Sequence, residues 1–523
     1  MTRVKRFFVN GMILTATSLI MSGIGVWYSV YISNRIGSEA MGVYQLIMSV
    51  YSFAVTLAAS GISFAATRLV AEELGQGREG GVRKSMRRCV VYALCFSMAA
   101  GVLLFAVSEP IGQFVLKNPD TVLPMKTMAF GLPFLAVSAS FGGYFTAVRR
   151  VVKNAGVQIL EQVVRIGITL AALSLVHDGN LMHICLAIAV SGVLTEIMSF
   201  VSSLVLYLND RKRYDVTKPS TDQLTKKMLS IAVPIALSSY LRSGLLTLKN
   251  LLVPLRLQKA GLTQSAAVTF FGMMHGVVLP ILLFPSAFIS SFSGLMIPEL
   301  SEYRARDHRV VGNRSIYYLI SRMLQLNLLF SIGVAGVGFP FSQPPAAAGG
   351  GDAQTAVYLR VMAPIIPVMY VDNCVDCVLK GLNEQLSSMK YNIIDAAVSV
   401  LLVLFLLPHT GTAGYVAVIC FSEILNFALS LHRMVTVTKF RIHPVNAFVK
   451  PIAATVIAGE ICRRLPLIEK NTMSLVLSIG CQAAVYVLIL MLVKCIRRED
   501  GAWLKKIFIN SDHKFVESCG KKE

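Results

Sequence analysis

MILTATSLIMSGIGVWYSVYI, residues 12–32, runs from Met12 to Ile32 without a charged side chain, and LVLSIGCQAAVYVLILMLV, residues 475–493, repeats the pattern near the other end. A bilayer core about 30 Å thick needs ~20 helical residues at ~1.5 Å each. Each run is therefore long enough to cross as one helix. A transmembrane barrel strand would alternate apolar and polar residues, and these runs are continuous, so helices are indicated. Working outward, about fourteen such stretches fill the chain from Phe7 to Val493, separated by short polar turns. The sequence predicts an all-α polytopic membrane protein, with no soluble domain inserted between the spans.

Composition agrees. Of 523 residues, 55% are hydrophobic and 15% charged, too few charges for the surface of a water-soluble protein this size. The net charge of +21 would suit nucleic acid, but the cations fall mostly in alternate loops. They cluster at Arg3/Lys5/Arg6, Arg83/Lys84/Arg87/Arg88, Arg149/Arg150/Lys153, Arg211/Lys212/Arg213, Arg304/Arg306/Arg309 and Arg433/Lys439/Arg441, and again after Lys494. Arg463/Arg464 is the main exception. The positive-inside rule then places both termini in the cytoplasm, with attraction to anionic membrane lipids as a second effect. The opening MTRVKRFF resembles a secretory signal, but the apolar run behind it is too long and lacks a small-residue cleavage site, so an uncleaved first helix is expected.

Ten cysteines show no disulfide framework. Cys374 and Cys377 form a CxxC inside a predicted membrane helix with no second pair, which reads as packing rather than a metal or redox site. No cofactor or metal is predicted, and no Walker A motif occurs, which argues against ATP hydrolysis.

Short matches recur at offsets of 227 to 234 residues: Val70-Ala71-Glu72 with Leu300-Ser301-Glu302, Arg83-Lys84-Ser85 with Asn313-Arg314-Ser315, Gln158 and Glu161 with Asn392 and Asp395, and Thr195 through Phe200 with Ser422 through Phe427. Such an offset spans six helices, and an even number gives both copies one orientation. The expected organisation is an N-lobe of six helices at 1–208, a cytoplasmic linker at 209–227, a C-lobe of six helices at 228–440, a helix pair at 441–496 and a cytoplasmic tail at 497–523.

Several segments resemble the multidrug/oligosaccharidyl-lipid/polysaccharide exporter superfamily, and within it the sporulation-type oligosaccharide-lipid flippases. They are Ile36 through Gln45, Ser63 through Glu73, Gly143-Tyr144-Phe145 followed by Gln158, Glu161-Gln162 and Arg165, then Phe271-Gly272, Phe284-Pro285 and Ile297 through Glu302. The resemblance covers essentially the whole chain. It implies a non-enzymatic transporter in a bacterial plasma membrane, moving a polyprenyl-diphosphate-linked saccharide from the inner to the outer leaflet in cell-wall, spore-cortex or polysaccharide biogenesis. The implied partners are that substrate and membrane lipids, with the monomer as the working unit.

Within the predicted seventh span, Arg242, Lys249 and Arg256 are seven residues apart and share one helical face. A cation deep in a bilayer costs about 2.5 to 3.5 kcal/mol on insertion scales. Such a row needs water, acidic partners or an anionic ligand, and a diphosphate suits the planar fork of Arg and the mobile charge of Lys. Arg256 has snorkelling to the outer interface as its alternative, and Arg242 has a buried pair with an acid such as Asp372. His275, Arg35 and Lys126 are secondary candidates for substrate binding. Asn10, Thr15, Ser18, Gln45, Ser49 and Ser52 are neutral groups that suit either sugars or helix packing. Asp372 and Asp376, one turn apart with Lys380 beyond, suit either ion coupling or an ion-paired stripe, while Glu161, Arg165 and Glu196 read as a structural ion-paired triad.

Three rival functions remain at this level: an ion-coupled multidrug exporter of the same superfamily, a membrane glycosyltransferase or polymerase, and a non-transporting envelope scaffold. The row of cations disfavours the first. The nearly uncharged outer segment from Pro340 to Gln354 lacks the clustered acids the second would need.

Overall fold

The computed structural model describes residues 3–176, 180–212, 214, 223–306, 314–341, 353–439, 449–464, 472–493 and 495, with side chains from Thr17 onward except at 151, 295–296, 298–299, 302–306, 314–315, 337–341, 353, 463 and 472–477. The cation clusters at the two termini, the side chains of Arg304, Arg306, Arg309, Asn10 and Thr15, and most of the segment from Pro340 to Gln354 lie outside the described residues.

All regular structure among the described residues is helical, in eighteen α-helical elements: α1 (Arg3–Ala59), α2 (Ile62–Gly75), α3 (Glu79–Pro110), α4 (Val122–Ala129), α5 (Leu132–Ala147), α6 (Val151–Ser174), α7 (Leu181–Arg211), α8 (Leu224–Lys259), α9 (Gln264–Met273), α10 (Leu279–Leu283), α11 (Ser286–Arg306), α12 (Arg314–Phe341), α13 (Ala353–Met362), α14 (Ile366–Gly381), α15 (Gln385–Phe405), α16 (Leu407–Thr438), α17 (Lys450–Arg463) and α18 (Thr472–Leu492). Ten described helices are long and apolar enough to cross a membrane, or eleven when the pair Pro119–Ala129 and Leu132–Ala147, bent by 44°, counts as one span. The chain is thus an all-α multi-pass membrane protein. Its outer surface is apolar, with Val456 66% and Leu492 73% exposed, which suits lipid and not water.

The count falls below the expected fourteen for identifiable reasons. Thr17–Gly75 counts as one span, although Gly37, at φ 83° and ψ 160°, breaks it between the runs expected at 7–33 and 41–70. That left-handed φ falls where only glycine is unstrained, so the kink is written into the sequence. At the other end, α17 has 14 residues and the apolar part of α18 is recorded only as Ser478–Leu492.

By contacts the chain divides into two compact units, one of Met1–Val30, Val277–Ser399 and Ala413–Glu523, the other of Tyr31–Gly276 and Val400–Thr412. In the second, α5 packs against α2, α3 and α7, α6 lies on α7, and α8 lies on α9 and α2. Small residues set these distances, as expected where lipid gives helices no hydrophobic reason to associate. Gly272 is a tight case: a Cβ there would stand 2.3 Å from the Ser38 carbonyl oxygen and 2.4 Å from the Gly42 nitrogen. A buried carboxylate joins the ends of three helices. Asp210 on α7, 1% exposed, accepts from the Tyr144 hydroxyl on α5 at 2.9 Å and from Lys153 Nζ on α6 at 3.3 Å, and pairs with Arg150.

In the other unit, Leu300, Ile316, Leu319, Met323, Val375, Leu379 and Met434 join α11, α12, α14 and α16 in one core. Tyr370 on α14 donates to the Leu282 carbonyl at 2.6 Å, and Asn327 on α12 donates to the Tyr370 carbonyl at 3.1 Å. A second cluster of Leu329, Ala454, Ala458, Tyr486 and Leu490 docks α17 and α18 onto α12. Tyr486 donates its hydroxyl to the Leu329 carbonyl at 2.8 Å there, which satisfies a phenol that lipid would leave unpaired.

Candidate functional site

α8 is bound along its length to α1, α2 and α3, and this fixes which of its faces stays open. At its start Lys227 pairs with Glu72 on α2, and Arg88 on α3 donates to the Thr225 hydroxyl. Further along, Tyr240 donates to the Leu57 carbonyl at 3.1 Å, Thr56 to the Ser243 hydroxyl at 3.0 Å, Thr247 to the Ser49 carbonyl at 3.0 Å, and Asn250 Nδ2 to the Ser49 hydroxyl at 3.1 Å. Thus Ser49, Thr247 and Asn250 have a helix-joining role. Ser238 and Ser239 hydrogen-bond to carbonyls of their own helix at 2.9 Å.

The cations lie off this seam. Arg242 is exposed and, among the described residues, makes neither a hydrogen bond nor an ion pair. Arg256 is half-buried with no ion pair among the described residues. Lys249 is half-buried and lies close enough to His275 to act on it electrostatically. His275 itself sits in a π-helical turn, Met274–Val278, with its ring centroid 4.3 Å from that of Phe271. A π turn widens the helix and re-aims its side chains, and such turns recur at functional sites. Beside them Asn250 Oδ1 is buried with no hydrogen-bond partner. Arg242 and Lys249 thus share one face of α8, with His275 close to Lys249 and Asn250 on the adjoining seam with α1.

The other candidates have different surroundings. Lys126 pairs with Glu109 at 3.5 Å and lies 5.2 Å from the centre of the Phe105 ring, which explains its presence at a helix end without a ligand. Arg35 is exposed on α1 two residues before the Gly37 break. Arg165 on α6 bridges Glu161 at 2.9 Å and Glu196 on α7 at 3.5 Å, while Ser199 donates to the second oxygen of Glu161 at 2.9 Å.

Asp372 and Asp376 depart from the ion-paired stripe. Asp372, 8% exposed, accepts from Asn426 Nδ2 at 2.8 Å through one oxygen, while its other oxygen and the Asn426 Oδ1 are buried without partners. Asp376 accepts from Ser388 at 2.8 Å and from Ser430 at 3.4 Å. Lys380 is exposed and joins neither acid in an ion pair. Two orphaned oxygens on adjacent side chains form an oxygen-rich point that a proton or a hard cation would satisfy. Asn426 is legible only as part of the repeated Ser422–Phe427 motif, and the tilted ring contact of Phe271 with His275 not at all.

The sequence pattern of the family described as polysaccharide biosynthesis protein matches residues 8–303. Stage V sporulation protein B of Bacillus subtilis (strain 168) is 23% identical over 512 residues, covering 95% of this chain and 97% of its own. In structure the chain is similar to the lipid II flippase MurJ in an inward closed conformation, with TM-score 0.67, 12% identity, 91% of this chain and 98% of that one. An inward-facing multidrug resistance MATE family transporter of the MOP superfamily matches with TM-score 0.57 and 15% identity over 82% of this chain and 96% of its own. The match spans more than half of the chain, and with the helical fold just described it places this protein in the polysaccharide biosynthesis protein family.

Proposed function

We propose that the protein moves a polyprenyl-diphosphate-linked saccharide from the inner to the outer leaflet of a plasma membrane by alternating access of two six-helix lobes, residues 1–208 and 228–440. The helix pair at 441–496 completes a fourteen-helix chain with both termini cytoplasmic. The observation that carries this reading is the guanidinium of Arg242, without a partner among the described residues, in the interior of a membrane-length helix, with Lys249 on the same helical face and His275 close to Lys249. Holding such a cation there costs about 2.5 to 3.5 kcal/mol unless water or an anion meets it. A diphosphate would offset that cost: Arg242 grips two oxygens at once, Lys249 supplies a mobile charge, and Asn250 Oδ1 accepts from a sugar hydroxyl. The name of the similar lipid II flippase and the description of the polysaccharide biosynthesis family support the same substrate class.

Across an interior-negative membrane, moving about two negative charges outward gains up to ~4.6 kcal/mol per 100 mV, from ~2.3 kcal/mol per charge. The potential alone can therefore set the direction. A cation or proton at Asp372, with Asp376 one turn away, would couple a second gradient. The bare Asp372 oxygen also favours a second reading, an ion-coupled exporter of cationic drugs. The deciding experiment reconstitutes the purified protein in vesicles with a fluorescent undecaprenyl-diphosphate sugar and an imposed potential. Protein-dependent leaflet exchange, lost in Arg242→Ala and Arg242→Glu, is the expected result. Exchange equal to empty vesicles, with uptake of a cationic dye instead, would replace it with the second reading.

A further inference from the structure

α3 and α8 start side by side and carry the same two-part pattern. Arg88 on α3 donates to the Thr225 hydroxyl on α8, which ties the starts of the two helices together. Around this tie Lys84 and Arg87 on α3 and Lys226 on α8 are exposed. Past the cations each helix turns apolar on the same face, because steps of three and four residues keep a row in line. On α3 the row is Val91, Leu94 and Met98, and on α8 it is Leu229, Val233 and Leu237, all of them exposed. The result is a cationic head above two parallel apolar rows.

Charge at this end is unbalanced. The second half of α2 and the starts of α3 and α8, residues 68–88 and 226–227, hold eight cations against three acids. Two of those acids are already taken: Glu72 pairs with Arg68 at 3.1 Å and with Lys227 at 2.5 Å, and Glu73 pairs with Arg78 at 3.2 Å. Arg83 spends its fork on the Arg211 carbonyl, at 2.7 and 3.0 Å. Among the described residues Arg87 has no hydrogen bond or ion pair, and Arg88 has only the neutral Thr225 hydroxyl. One turn along from Arg88, on the same side of α3, Tyr92 is 7% exposed and its hydroxyl is buried with no hydrogen-bond partner. A buried phenol in that state calls for an acceptor.

We infer that the junction of α3 and α8 is a binding site for one anionic phospholipid. Its phosphate lies among Arg87, Arg88 and Lys226, where a guanidinium takes two oxygens at once and the ammonium adds a point charge. Tyr92 donates to an oxygen of the ester region below the phosphate. The two acyl chains follow the rows that begin at Val91 and Leu229. A zwitterionic lipid would bring a cation of its own into the cluster, and a soluble phosphate would leave both rows without a partner, so charge and shape together select this occupant.

The test exchanges the purified full-length protein into lipid-free detergent and titrates it, by native mass spectrometry, with phosphatidylglycerol and phosphatidylcholine of matched chains. Wild type should retain one phosphatidylglycerol at least tenfold more tightly than phosphatidylcholine. Arg87→Gln combined with Lys226→Gln, two exposed side chains that the fold does not depend on, should bring the preference to within twofold. Lys390→Gln combined with Lys439→Gln removes two exposed cations elsewhere on the chain and should leave the preference intact. Survival of the preference in the first variant would overturn the inference, as would an equal loss in the second, which would reduce it to net charge. Displacement of the lipid by inorganic phosphate would also overturn it, in favour of a soluble anion. Leaflet exchange of the diphosphate lipid is a separate measurement, so the transport reading is independent of these results.

Discussion

Gly272 meets Gly42 backbone to backbone, and a Cβ built on Gly272 would stand 2.6 Å from the Gly42 Cα. The near neighbours are main-chain atoms, so no rotamer change can relieve a side chain introduced there. Gly272→Leu should therefore push α9 off α1, at a cost on the order of the 1–3 kcal/mol typical of over-packing or above. The check is the thermal midpoint and the yield of monodisperse protein. Gly25, with nothing within 4 Å of its Cβ position, provides the contrast: Gly25→Ala should change neither.

Arg242 has no partner among the described residues, so Arg242→Gln should leave stability within about 0.5 kcal/mol of wild type. Flipping of the diphosphate lipid should fall at least tenfold, and Arg242→Lys should recover only part of it, because a point charge cannot reproduce the fork. A large fall in thermal midpoint on Arg242→Gln would instead reveal a structural role.

Asp210 should behave in the opposite way. It is buried against Arg150, Lys153 and the Tyr144 hydroxyl, and Asp210→Asn leaves two cations facing a neutral group. Breaking a buried pair in this manner costs about 3–5 kcal/mol. Thermal unfolding should register it, while Lys126→Gln, which breaks a half-exposed pair with Glu109, should cost less than about 1 kcal/mol.

Asp372→Asn should preserve the fold, because the substituted amide can still hydrogen-bond Asn426. If this carboxylate couples a cation, the variant should flip substrate under a membrane potential yet lose any acceleration by a sodium or proton gradient. Equal gradient dependence in variant and wild type would remove Asp372 from coupling.

What the sequence made legible was the property summed over many residues. Continuous apolar runs such as 12–32 show helices because lipid leaves the backbone no other way to satisfy its hydrogen bonds. The pairwise chemistry was harder to read. Lys126 looked like a ligand because its partner Glu109 lies across a turn, and Asp210 drew no notice because its partners are 57 to 66 residues away. Ser49, which suits either a sugar or helix packing by sequence, is turned to packing by Thr247 and Asn250, about 200 residues further along the chain. The π turn carrying His275 has no sequence signature, since one extra residue per turn leaves the apolar pattern of the helix almost unchanged.

The hydrogen bonds that Ser49 exchanges with Thr247 and Asn250, together with those from Thr56 to Ser243 and from Tyr240 to Leu57, tie the latter half of α1 and the middle of α8 into a single beam. A cargo gripped by Arg242 would ride on that beam. Turning the grip from one side of the bilayer to the other then requires both helices to swing together, so a cross-link between residues 49 and 250 should leave transport running.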